Sequence, residues 1–135
     1  ISEMTGIHNS DLTENSTTFK IPIVGKGNKL RIIRIRKELI YEIKEVFAGT
    51  EFLFETKNGT PYYREYIARE VRRAGKRILN RDIHPHLFRH SFVSHKIAET
   101  GKIKAVSEYV GHSSAGFTMD IYCHESLNDN DLFSE

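Results

Sequence analysis

β-Branched and aromatic residues fill Phe19–Val24 and return at Leu30–Ile35, on either side of the turn-forming stretch Gly25-Lys26-Gly27-Asn28. That pattern predicts a β-hairpin with a glycine-framed tip carrying Lys26 and Lys29. Upstream, Ile1–Ile7 reads as the end of a short helix and Asn9–Asn15 as a turn. Downstream the period changes. Leu39, Ile40, Ile43, Val46 and Phe47 recur at helical spacing, so Glu38–Phe47 is predicted as an amphipathic helix ended by Gly49. A short apolar run, Phe52-Leu53-Phe54, and a turn, Lys57-Asn58-Gly59-Thr60-Pro61, follow. Tyr63–Ile78 predicts a basic helix with Tyr66, Ile67, Val71 and Ala74 on its apolar side, and Asn80–Pro85 a connector. His86–Glu99 and Ile103–Val110 predict two more helices, stopped by Gly101 and Gly111. Ser113 or Ser114 can cap a last helix that carries Tyr122.

The 135 residues suit one domain, and 39% hydrophobic content is enough to bury one core. No apolar run is long enough to cross a bilayer, and the opening residues lack the basic front and apolar middle of a signal peptide. With only Cys123, an internal disulfide framework is excluded and a reducing, cytoplasmic setting is expected. The net charge of +2 says little, but its distribution says more. Between Asn15 and Lys37 there is no acidic residue, while Lys20, Lys26, Lys29, Arg31, Arg34, Arg36 and Lys37 all fall there. A second basic cluster comprises Arg69, Arg72, Arg73, Lys76, Arg77 and Arg81. Segregation of this kind makes a one-sided positive field that suits a polyanion, although it also fits a solvated helix face and an exposed hairpin.

The stretch HPHLFRHSF, His84–Phe92, concentrates histidine and arginine at the start of a predicted helix. His86 and Arg89 are three apart and share a helical face. An arginine fork matches phosphate oxygens, histidine exchanges a proton near neutrality, and a helix start favours anions. Taken alone, the pair better suits a packed or capping histidine and an arginine paired with a carboxylate. A zinc site is not indicated: His90 and His95 are five apart, and Cys123-His124 has no second cysteine nearby. The chain order is more specific than any piece of it. HPHLFRHSFVSH is followed by GHSS, containing His112, and then by TMDIYCH, containing Tyr122.

These blocks resemble the tyrosine recombinase (phage integrase) family. HPHLFRHSFVSH is similar to that family's H-x-L-R-H-S/T-F-A-T-H signature, with Phe88 and Val93 as departures. YVGHSSAGFTMDIYCH is similar to its L-G-H-S-S…T…Y-x-H block, and GKGNKLR to its G-K-G-N-K-x-R hairpin. The likeness runs to about Ser126. It implies an α+β, mainly α catalytic-domain fold over residues 1–127, helices packed with a small antiparallel sheet. A tail at 128–135 would dock in cis or in trans through Leu132 and Phe133.

The function implied is site-specific breakage and rejoining of double-stranded DNA through a 3′-phosphotyrosyl intermediate. The resemblance further implies a homo-tetramer on paired sites, without cofactor, metal or membrane. Tyr122 would be the nucleophile, His86 its base, Arg89 and His112 the groups holding the non-bridging oxygens, and Lys26 the general acid, with Lys29 its rival. Lys29, Arg31, Arg72, Arg73 and Arg77 would meet DNA. His90 is expected as a buried structural partner of the neighbouring helix, and His124 either behind the site residues or in a structural role. The family's first catalytic arginine belongs to an A/G-R-x-S-E-L block, and this sequence opens with ISEM, which by the resemblance is expected to follow that arginine directly. Glu3 would then be the acid that supports the active-site arginines. A fragment cut there is expected to cleave DNA weakly or not at all. A mobile-element integrase and a chromosome-dimer resolvase both fit. The alternatives are a catalytically inactive DNA-binding relative and a type IB topoisomerase-like enzyme.

Overall fold

The computed structural model describes residues 1–112 together with Gly116, Thr118 and Met119. The chain divides into two compact units, Ile1–Ile83 and His84–Glu135. In the first, helix α1 (Ser2–Thr5) and a 3-10 turn (Asn9–Asp11) lead into an antiparallel sheet of β1 (Thr13–Glu14), β2 (Thr18–Val24) and β3 (Leu30–Arg36) in the order β1-β2-β3. Helices α2 (Lys37–Phe47) and α3 (Arg64–Leu79) complete it. The second unit contains α4 (Pro85–Thr100) and α5 (Ile103–Val110).

The hairpin register pairs Phe19 with Ile35, Ile21 with Ile33 and Ile23 with Arg31. Because side chains alternate across a strand, these pairs share one face. Phe19, Ile21 and Ile23 on that face join Ile7, Ile40 and Leu53 in a buried core, with Ile33, Ile35, Ile43 and Phe54 packed at its edge. The other face presents Lys20, Arg34 and Arg36 beside exposed Val24, Leu30 and Ile32. At the tip, Lys26–Asn28 form a 3-10 turn in which Gly27 (φ 72°) and Asn28 (φ 58°) are left-handed. Glycine adopts that conformation without steric cost and asparagine tolerates it, so the GKGN tetrapeptide suits this turn.

The structure departs from the sequence reading at β1, at the end of α2 and at the start of α4. Residues 9–15, read as a turn, include β1, whose Thr13 and Glu14 pair with Lys20 and Phe19. A two-residue edge strand is too short to show a period. Helix α2 stops at left-handed Ala48 (φ 48°), one residue before the expected Gly49. Gly49 has a different use: a Cβ there would collide with the Phe52 carbonyl and the Glu55 side chain. Glu55 itself gathers the loop, accepting hydrogen bonds from the N–H groups of Thr50 (3.1 Å), Glu51 (2.9 Å) and Phe52 (2.9 Å). Those donors hold its carboxyl below the usual carboxylate range. The Leu53 N–H then donates to the Ile7 carbonyl at 2.9 Å and its side chain enters the core. Finally, Pro85, read as part of a connector, is the first residue of α4, with extended His84 as its N-cap. Proline suits that position, since its ring presets φ and the missing N–H would have no helical acceptor.

In the second unit, Val93 and Ile97 of α4 pack against Val106 and Val110 of α5, and Phe92 stacks on Tyr109 with ring centres 5.8 Å apart. Left-handed Gly101 and Gly111 end the two helices, as predicted. Among the described residues no helix is long and apolar enough to cross a membrane.

Candidate active site

Arg89 lies one turn into α4, where the buried stripe of Val93 and Ile97 leaves it half-buried at the helix edge. Its Nε donates to Nε2 of His112 at 3.4 Å, and its Nη2 donates to the carbonyl of Val110. The glycine stop at 111 makes this possible. Left-handed Gly111 turns the chain sharply after α5, so that the Val110 carbonyl and the His112 ring face the same guanidinium. His112 Nδ1 lies 2.5 Å from Oγ1 of Thr118, whose side chain is fully buried. Arginine can only donate, so Nε2 is the accepting nitrogen and the ring proton sits on Nδ1, which donates to Thr118. His112 is thus neutral with both nitrogens engaged. Burial, then the charge of Arg89 and then His90 hold its pKa below the usual histidine value.

His86, in the first turn of α4, is exposed. Its ring centre is 6.3 Å from that of His84 and 6.5 Å from that of His90. Partial desolvation, followed by the neighbouring His90 and His84, pushes its pKa down. A neutral imidazole at that position can accept a proton. His90, expected in a structural role, is half-buried. Tyr122, Cys123, His124, Leu132 and Phe133 lie outside the described residues.

In the first unit, Lys26 and Lys29 are both exposed at the hairpin tip. Arg31 is placed differently. It lies on the core side of β3, opposite Ile23, and its side chain is only 16% exposed. Its fork donates twice to Glu3, Nη1 to Oε1 at 3.0 Å and Nη2 to Oε2 at 2.6 Å. The fork expected on DNA is therefore turned onto a carboxylate. The acid expected to support active-site arginines holds this hairpin arginine. On α3, Arg69, Arg72, Arg73 and Lys76 follow at i, i+3, i+4 and i+7 and are all exposed, as is Arg77. Arg73 reaches Glu70 at 3.2 Å, and Arg69 lies over the Tyr66 ring at 5.3 Å. Apolar Ile67, Val71 and Ala74 point to the opposite, partly buried side, which keeps the basic stripe facing water.

Sequence reasoning missed the partners of these groups. Thr118 stood inside a recognised motif without a role, and the only hint of the Arg31–Glu3 pair was an arginine at an inward position of a strand.

The family model of the Phage integrase family matches residues 1–128. The chain is 35% identical over 133 residues to tyrosine recombinase XerH of Campylobacter jejuni subsp. jejuni serotype O:2, covering 92% of this chain and 37% of that protein. It is 31% identical over 131 residues to tyrosine recombinase XerC of Pseudomonas fluorescens, covering 92% of this chain and 43% of that protein. The chain thus spans about two-fifths of these relatives. Among solved structures it resembles XerH site-specific recombinase bound to palindromic difH substrate in a post-cleavage complex (TM-score 0.75, 25% identity, 92% of this chain and 38% of that one). It also resembles XerA recombinase (TM-score 0.75, 25% identity, 97% of this chain and 48% of that one).

Proposed function

Since this chain belongs to the phage integrase family, we propose that the protein carrying it is a site-specific recombinase that breaks and rejoins double-stranded DNA. The observation that carries this reading is the Arg89–His112 contact. It joins the two motifs that resembled the family and sets an arginine fork, which suits a phosphate, against an imidazole.

In this reading the Tyr122 phenol attacks the phosphorus of a scissile phosphodiester while His86 takes its proton. A bare tyrosine has a pKa of about 10 and needs such help. Negative charge builds on the non-bridging oxygens, and Arg89 and His112 turn their N–H groups onto them. For His112 this means either phosphate in place of Thr118 as the acceptor from Nδ1–H, or a proton gained on Nε2 once Arg89 has turned to the phosphate. The bond to the 5′-oxygen breaks, that oxygen takes a proton from Lys26, and a 3′-phosphotyrosyl link remains. Attack by a 5′-hydroxyl reverses the sequence and reseals the strand, so no external energy source is consumed. Lys29, Arg72, Arg73 and Arg77 hold backbone phosphates, which makes binding steeply salt-dependent. Strand exchange requires paired sites, and a homo-tetramer would present the four nucleophiles they need. Residues 1–127 form part of the catalytic domain, and the tail at 128–135 docks through Leu132 and Phe133 in cis or in trans.

The test is a nicked suicide duplex incubated with the full-length protein and resolved on denaturing gels. A covalent protein–DNA adduct is expected, and it disappears in Tyr122→Phe while binding survives. Binding without any adduct would instead identify an inactive DNA-binding relative. Relaxation of supercoiled plasmid without sequence preference would identify a topoisomerase-like enzyme.

A further inference from the structure

Arg31 is an anomaly of the hairpin. Its neighbours on the same face of β3, Ile33 and Ile35, are apolar and pack against the core. A charged side chain there loses hydration, and it is tolerated only with a matched partner. The partner is Glu3, brought from α1, and both oxygens of its carboxylate are engaged by the fork.

The ion pair lies directly beneath Gly25, the residue before Lys26. A Cβ on Gly25 would sit 2.8 Å from Arg31 Nη1 and 3.2 Å from Glu3 Oε1. Gly25 has an ordinary extended backbone (φ −96°, ψ −164°), so space, and not conformation, is what a side chain would lack there. Its N–H donates to the Lys29 carbonyl at 2.9 Å, which closes the loop over the pair. The backbone that launches Lys26 therefore rests on a guanidinium–carboxylate platform tied to α1.

We propose that Arg31 is a positioning residue, whose bidentate pair with Glu3 fixes the backbone at Gly25 and thereby aims the Lys26 ammonium. The role assigned to Lys26 rests on the function proposed above. The placement of the loop does not.

Two measurements test this on Arg31→Met and Glu3→Gln, with Arg31→Lys as the conservative variant. The first is amide hydrogen exchange on this chain. Protection of the Gly25 N–H is expected to fall in Arg31→Met and Glu3→Gln, while the Ile21 and Ile33 amides of the hairpin keep theirs. Arg31→Lys should restore it only in part, since a lysine cannot make the double contact. The second is single-turnover cleavage by the full-length protein, on ordinary DNA and on DNA with a sulfur in place of the scissile 5′-oxygen. A thiolate leaves without needing a proton. Arg31→Met is expected to slow ordinary cleavage by about 10²-fold, the scale of a misplaced reacting group. Cleavage of the sulfur substrate should return towards the parent rate, as in Lys26→Ala and unlike Arg89→Ala. Arg31→Met added to Lys26→Ala should cost little more.

Unchanged Gly25 protection overturns the proposal, as does a cleavage defect that sulfur does not relieve. If Arg31→Met also loses the hairpin ladder, Glu3→Gln, which keeps size and shape, decides. If the parent forms no adduct with either substrate, the proposed function fails, and exchange at Gly25 still decides whether the pair holds the loop.

Discussion

Replacing Thr118 by valine keeps the volume of a fully buried side chain and removes only the hydroxyl that accepts from His112 Nδ1 at 2.5 Å. If the freed Nδ1–H finds water, the loss is that of an ordinary hydrogen bond, about 1 kcal/mol. If it is stranded against a methyl group, the loss approaches about 1–3 kcal/mol. His112 is half-buried, so a value of about 1–2 kcal/mol is expected. The imidazole loses its anchor on one side while the bond from Arg89 Nε remains on the other. Ring orientation then costs cleavage about 5- to 30-fold, the same energy read as a rate. Nitrogen-resolved NMR of His112 should show the Nδ1–H tautomer in the parent and in Thr118→Ser, and a mixture in Thr118→Val. Urea unfolding supplies the stability. If Thr118→Val keeps both the Nδ1–H tautomer and the parent's stability, the assignment of Thr118 as the acceptor that orients His112 is wrong.

Two further outcomes follow from the geometry. Gly75→Ala in α3 would gain about 1 kcal/mol of helix propensity. Its Cβ, however, would lie 2.6 Å from Cβ and Cγ1 of Ile83 and 3.2 Å from the Arg81 carbonyl. Overpacking of that kind costs about 1–3 kcal/mol, so the urea midpoint should fall, and a rise would refute the packing argument. The second outcome concerns pH. Both His112 and His86 have pKa values below the ordinary 6.5, so the unfolded chain binds more protons than the folded one just under that pH. Stability should therefore hold above about pH 6.5 and decline below it, a sign that unfolding free energy measured between pH 7.5 and 5.5 will check. In the same series Arg89→Gln should raise the His112 pKa by NMR titration, since the Arg89 charge is the second cause of its depression after burial.

The amino-acid sequence alone settled whatever depends on neighbours along the chain. The hairpin strands β2 and β3, the helices α2–α5 and the glycine stops at Gly101 and Gly111 all appear as read. The ordered motifs pointed to the family before any geometry was known. Boundaries were legible only where a period had room to repeat, which is why β1 and the entry of α4 at Pro85 were missed. Tertiary structure decided which charges face water and which face one another. Arg31 and Arg34 look alike in the sequence, yet strand alternation sends Arg31 inward onto a carboxylate 28 residues away and leaves Arg34 exposed. The resemblance set Arg89 and His112 at one phosphate, but nothing in the sequence announces that the guanidinium will donate to the His112 ring, 23 residues on, or that Thr118 will hold the ring proton in place. Local periodicity reports the face on which a side chain lies. The partner across the gap, and with it the protonation and aim of a functional group, exists only once distant segments have packed.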